Sequence, residues 1–310
     1  MSFPVMKLVN LATERVLPPE PGTEPIVIKL TMSAAFNAWR FIIAALLYWL
    51  LTLSRQRGYS SSEARGGAMV GAFFGLGLLI QLTGLYFTLP SISGFLTSLV
   101  VVFSPLAQAL IFKQPVRGST WAAVALAVAG MVVLSQPWAP QPPSAAAPMP
   151  FFGELLTIFA SVLFTGQVLA LDHYGKTSDP ARLTLAMFAA TALVNLVAAA
   201  AIGGGSAFRP EVLGALFGDP SFVGLLLFIA IFSSVGALHL MNKYQPLLTP
   251  AIASVIYCLE PVFATAASVA VGTETLAAAT LGGGTIILVA VLIVARAPVQ
   301  QQPPSHQDTK

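Results

Sequence analysis

Charge is what this chain has least of. Only 9% of its 310 residues are Asp, Glu, Lys or Arg, where a soluble domain carries roughly 25%. That excludes an ordinary water-soluble fold, and a hydrophobic share of 56% makes the chain an integral membrane protein. Cysteine is nearly absent. With Cys258 alone no disulfide forms within the chain, and one cysteine beside three histidines gives no metal-binding Cys/His spacing. No metal and no cofactor are expected. There is no His-Glu-x-x-His, no Gly-x-Ser-x-Gly and no Gly-x-x-x-x-Gly-Lys-[Ser/Thr] phosphate loop. The few intramembrane ionisable groups form no evident catalytic pair, so the chain is not read as an enzyme. A scattered net charge of +3 argues against nucleic acid as a partner. The first residues, MSFPVMKLVNLATERV, lack the apolar run and small-residue cleavage site of a signal peptide.

What is present is a series of long apolar segments. Nine read as complete spans, at roughly 32–54, 67–88, 91–113, 117–136, 150–172, 181–203, 221–242, 249–271 and 276–296, since about 20 apolar residues cross a bilayer as a helix. A proline-rich stretch at 137–149 forbids a helix through it and divides the chain into 1–136 and 150–296. The last residues, 297–310, are polar and read as a disordered tail. Aligning Phe3 with Phe164 leaves roughly a dozen residues of a first helix missing, too few for a span. The expectation is a start placed further upstream; the alternative is a natural stub.

Two segments share a design. Thr249 to Val271 carries Glu260-Pro261 near its middle, and Ser91 to Phe112 carries Ser104-Pro105. Proline removes a backbone donor and frees the carbonyl four residues back, and a carboxylate at that depth must face protein or water. Paired, proline-broken segments in corresponding halves point to a transporter's substrate site. Loop charge sets orientation. If the stub ends outside, the inner loops hold Arg55, Arg57, Arg65, Lys113, Arg117, Lys176, Arg182, Lys243, Arg296 and Lys310, and the outer ones only Arg15, Lys29 and Arg209. This bias puts the C-terminus in the cytoplasm. Five helices in each half then make the halves inverted relative to each other.

WRFIIAALLYWLL (39–51), LTSLVVVFSPLAQALIF and SVIYCLEPVFATAASVAVGTETL, in that order and spacing, resemble the drug/metabolite transporter superfamily, and within it two tandem EamA-type repeats. The resemblance spans nearly all of residues 1–296. It implies an all-α membrane fold of ten helices in two inverted five-helix repeats, here nine full spans plus a stub. It further implies cytoplasmic termini and a central cavity lined mainly by helices one, three, four, six, eight and nine. The implied activity is movement of a small metabolite, often export of an amino acid or related compound, without ATP hydrolysis. Two departures stand out: the short first helix, and Gln114 where many repeats carry glutamate.

Glu260 is the foremost candidate residue, as a proton-coupling carboxyl or as a structural hydrogen-bonding group. Arg40 either holds an anionic substrate group or ties helices together. Lys7 becomes a partner for Glu260 or substrate if its helix is complete. Gln81, Thr83 and Tyr86 in one half match His239 and Asn242 in the other, with Gln81 opposite His239, and suit substrate hydrogen bonding. Helix-to-helix bonding is the alternative for each. Tyr257 is expected to share the face of Glu260. Gln108, Gln167, Asn37 and Asn195 are weaker candidates, while Gly71/Gly75 and Ala278/Gly282 are read as packing pairs. Trp39, Trp49 and Trp138 are read as interfacial anchors. The expected function is a secondary, alternating-access transporter of the cell (inner or plasma) membrane, working on a small molecule within the lipid bilayer. A homodimer is one option for its assembly. The competing readings are a non-transporting binding or assembly subunit and an inactive truncated paralogue.

Overall fold

The structure, a computed structural model, describes residues 25–85, 87–88, 90–136, 151–270 and 278–296. Lys7, Tyr86, Trp138, the first-helix stub, the 137–149 linker and the 297–310 tail lie outside the described residues. All described elements are helical. Eight helices among them are long and apolar enough to cross a membrane, and Pro250–Phe263 is a shorter apolar one.

The helix α1 (Pro25–Leu51) begins earlier than expected and ends before a single tight turn at Leu53–Arg55. Next comes α2 (Ser61–Leu85), which starts well before the expected residue 67. The reason is a reciprocal cap. Glu63 N–H donates to Ser60 Oγ at 3.1 Å, and Ser60 N–H donates to the Glu63 carboxylate at 2.9 Å, satisfying donors that a helix start leaves open. The segment expected at 91–113 forms α3 (Pro90–Thr97) and α4 (Val100–Leu110). The break falls at Ser98–Leu99, and Pro105 sits inside a continuous α4. Pro105 is therefore not the breaking residue. After α5 (Gly118–Ser135) come α6 (Phe152–Gly175) and α7 (Pro180–Gly203). The last of these has Asp179 as N-cap and proline at its first position. The stretch before the next span contains a short helix, α8 (Pro210–Gly218), outside the expected spans.

The span Pro220–Leu247 is wound in pieces: α9 (Pro220–Phe228), a π-helical stretch Ile229–Gly236, α10 (Ala237–Tyr244) and a final tight turn. The Glu260 segment forms α11 (Pro250–Tyr257) and α12 (Leu259–Ala270), broken at Cys258. This break lies within one turn of Pro261, beside the Tyr257 carbonyl that the proline frees. The final span is α13 (Ala278–Ala295).

Corresponding helices of the two halves pair with each other. Thr31 meets Gly203 and Phe41 stacks on Phe188, so α1 and α7 run antiparallel. Gly130 meets Ile287 while Leu134 meets Gly283, so α5 and α13 do likewise. The close approach there uses Gly283, rather than the Ala278/Gly282 pair read from the sequence; the nearest neighbour of a Cβ added at Gly282 is 4.0 Å away. One apolar core joins Phe41, Val70, Leu171 and Phe188; another joins Val101, Met131, Val255 and Ile287. Each draws on both halves. Trp39 is not at a span end: it lies inside α1, edge-on to Phe217 of α8, whereas Trp49 is exposed near the close of α1. Exposed Leu50, Phe159, Val197, Phe232 and Leu292 form an outer apolar surface, as a lipid-facing bundle requires.

Candidate functional site

Three levels of polar side chains occur along the seam between the halves. At the middle level Arg40, only 5% exposed, donates from Nε to Ser234 Oγ at 2.8 Å and from a terminal nitrogen to Ser233 Oγ at 3.1 Å. Its guanidinium carbon also lies 4.8 Å from the centre of the Phe41 ring. Glu260, in the first turn of α12, is exposed. Ser104, aligned with Glu260 in the other half, is buried with no hydrogen-bond partner on its hydroxyl.

A second level lies toward the end where α1 closes and α2 begins. There the Tyr48 hydroxyl and His239 Nδ1 share a hydrogen bond of 2.6 Å. Asn242 donates to Thr184 Oγ1 at 3.0 Å and Met187 Sδ at 3.2 Å. Tyr257 donates to Gln245 Oε1, and Gln245 donates to the Val168 carbonyl at 2.9 Å. Gln108 Oε1 accepts the Ala251 N–H at 3.3 Å, satisfying a donor at the start of α11. Gln167 reaches only Met241 Sδ, at 3.7 Å.

The third level is at the opposite end. Gln81 donates to Thr97 Oγ1, Thr97 to the Ser93 carbonyl, and Ser93 pairs with Thr157; Thr88 donates to Glu154. Gln81 and His239 therefore do not come together. Equivalent positions in antiparallel halves fall at opposite ends of the bundle. Thr83 bonds only its own helix, at the Leu79 carbonyl. Asn195 donates to the Thr191 carbonyl, and neither amide atom of the buried Asn37 has a hydrogen-bond partner.

Sequence reasoning missed two groups. One is Ser233 and Ser234, legible only as adjacent serines in an apolar run. The other lies beyond the second level, where Arg182 at the start of α7 donates to the carbonyls of Arg55, Arg57 and Gly58 and to both Glu63 oxygens. Glu63 Oε1 also accepts the Asp179 N–H at 3.0 Å, and Tyr59 donates to the Arg182 carbonyl at 3.0 Å. Burial, reinforced by the Glu63 carboxylate, pushes the Tyr59 phenol up and keeps it a donor. This cluster ties the α1–α2 loop to the α6–α7 loop. The signal for it was the Ser60-x-x-Glu63 spacing. Among the described residues no His/Cys/Asp/Glu group has a metal-binding arrangement.

Comparison with known proteins agrees with this architecture. The family model for the EamA-like transporter family matches residues 22–136 and again 151–296. An uncharacterized transporter of Archaeoglobus fulgidus is 29% identical over 272 residues, covering 86% of this chain and 80% of its own. A solved crystal structure, 16% identical, covers 94% of this chain and 95% of its own with a TM-score of 0.65, a likeness of fold. With both repeats matched, the chain belongs to the EamA-like transporter family.

Proposed function

We propose that this membrane transporter is a secondary exporter of a small polar metabolite, an amino acid or related compound, and that Glu260 couples proton movement to its alternating access. The observation that carries the reading is the place of Glu260. It is an exposed residue in the first turn of α12, midway along a broken apolar stretch, in a bundle whose Arg40 is buried against the Pro220–Leu247 span. A carboxylate at such depth must face protein or water, not lipid. Broken helices that carry polar groups near their middle are the arrangement of substrate sites in secondary transporters. Antiparallel pairing of α1 with α7 and of α5 with α13 supports two inverted five-helix repeats in the cell membrane.

The test uses proteoliposomes and a panel of radiolabelled amino acids. Glutamine keeps the shape and hydrogen bonding of Glu260 but does not ionise. Glu260→Gln is expected to fold normally, to lose flux driven by a pH gradient, and to retain counterflow exchange, which needs no net proton movement. Gradient-driven flux at the wild-type rate in the folded variant would overturn proton coupling through Glu260.

A further inference from the structure

An α-helix bonds each N–H to the carbonyl four residues back. Ile229–Gly236 is wound instead as a π-helix, and at its end the Ala237 N–H donates to the Phe232 carbonyl five residues back. Such winding is rare, mostly confined to one turn, and frequent at functional sites. No proline imposes it here; the segment reads IAIFSSVG. What grips the segment from outside is Arg40, which holds both Ser233 and Ser234. Adjacent α-helical side chains point about 100° apart, so the wider π turn helps one guanidinium reach both hydroxyls.

The flank beyond the π segment bonds to α1, α6, α7 and α11. His239 meets Tyr48 of α1, Asn242 meets Thr184 of α7, and Gln245 meets Tyr257 of α11. A π segment accommodates about one residue more than the α-helix it interrupts. Rewinding it therefore moves one flank by about 1.5 Å and turns it by roughly 100°. A turn of that size parts these contacts together.

We propose that Ile229–Gly236 is a register switch and Arg40 its positioning residue. With Arg40 on Ser233 and Ser234, the π winding is held and the contacts of His239, Asn242 and Gln245 close that end of the bundle. When Arg40 lets go, the segment rewinds, the flank turns, and that end opens. The purpose of the switch rests on the transport reading; its existence does not, and the test needs no substrate.

The test is hydrogen exchange read by mass spectrometry on the full chain in lipid nanodiscs. Amides of 229–244 are expected to exchange at least about tenfold faster than those of Pro220–Phe228, the factor that about 1.4 kcal/mol of weaker holding produces. Joint Ser233→Ala and Ser234→Ala substitution is expected to raise that rate by about tenfold more, because two bonds to a charged donor are lost. Deleting Ile231, which is exposed on the apolar surface, lets both flanks keep their registers in a continuous α-helix. In that variant exchange is expected to fall to the rate of Pro220–Phe228. Equal exchange in 229–244 and Pro220–Phe228 of the wild type overturns the switch, as does unchanged exchange in the deletion variant. Should the deletion variant fail to fold, the serine pair decides: no rise in exchange overturns the proposal. A failed switch leaves gradient-driven flux standing as evidence for transport, and absent flux leaves the exchange result standing, so the two failures are distinguishable.

Discussion

At the scale of single residues, the densest polar cluster among the described residues is the one around Arg182, not the intramembrane groups. One guanidinium satisfies three loop carbonyls and faces a Glu63 carboxylate that also accepts two backbone N–H groups. Removing it leaves a carboxylate with little solvent, its side chain 8% exposed, beside carbonyls that have lost their donor. Arg182→Gln is therefore expected to lower stability by about 2–3 kcal/mol, seen as a lower midpoint of thermal denaturation in detergent. Arg65→Gln, an exposed neighbour on α2, is the control, expected to stay within about 0.5 kcal/mol. Equal midpoints for the two variants would show that the cluster does not hold the loops. In the sequence Arg182 was one positive loop charge among ten, since nothing local says which carbonyls a guanidinium will meet.

At the scale of elements, α2 is the helix that glycine shapes most. A Cβ added at Gly67 or Gly71 falls inside van der Waals contact with α7, against Ala186 and the Leu183 carbonyl in one case and the Met187 carbonyl in the other. At Gly75 the nearest atom is Val194 Cβ, at 3.2 Å. Backbone carbonyls do not move aside as flexible side chains do. Gly71→Ala is expected to destabilise by about 1–3 kcal/mol through overpacking and to break the bond from Thr191 Oγ1 to the Gly71 carbonyl. Gly94→Ala in α3 meets nothing within 4 Å and is expected to be neutral or to stabilise by about 0.4–1 kcal/mol. Thermal denaturation of the two variants side by side checks the contrast. The Gly71/Gly75 packing pair was legible in sequence because small residues four apart lie on one helix face. The partner helix, α7, was not.

At the scale of the molecule, the two repeat-length halves interleave. Both apolar cores take residues from each half, and the most intimate neighbours of α1 and α5 are their counterparts α7 and α13. The basic loops that hold Arg55 and Arg182 come to one end, the end that the bias of loop charge assigns to the cytoplasm. A reporter fused after Lys310 is expected to be cytoplasmic, and one inserted at 137–149 external. A cytoplasmic linker would overturn the inverted topology.

The sequence by itself determined that the chain is a helical membrane protein, nearly where eight of the nine expected spans lie, and that it is built from two similar halves. Those properties follow from local composition: apolar length, proline, glycine spacing and loop charge act within one or two turns of the residues that carry them. It also marked Glu260 and Arg40, because ionisable groups inside apolar runs stand out by their burial cost. Only the tertiary structure decided that Arg40 meets Ser233 and Ser234, 193 and 194 residues away, that Gln81 and His239 lie at opposite ends, and that the break near Ser98 is not at Pro105. Partners and winding depend on which helix packs against which, and an apolar face specifies that it must be covered without specifying by what.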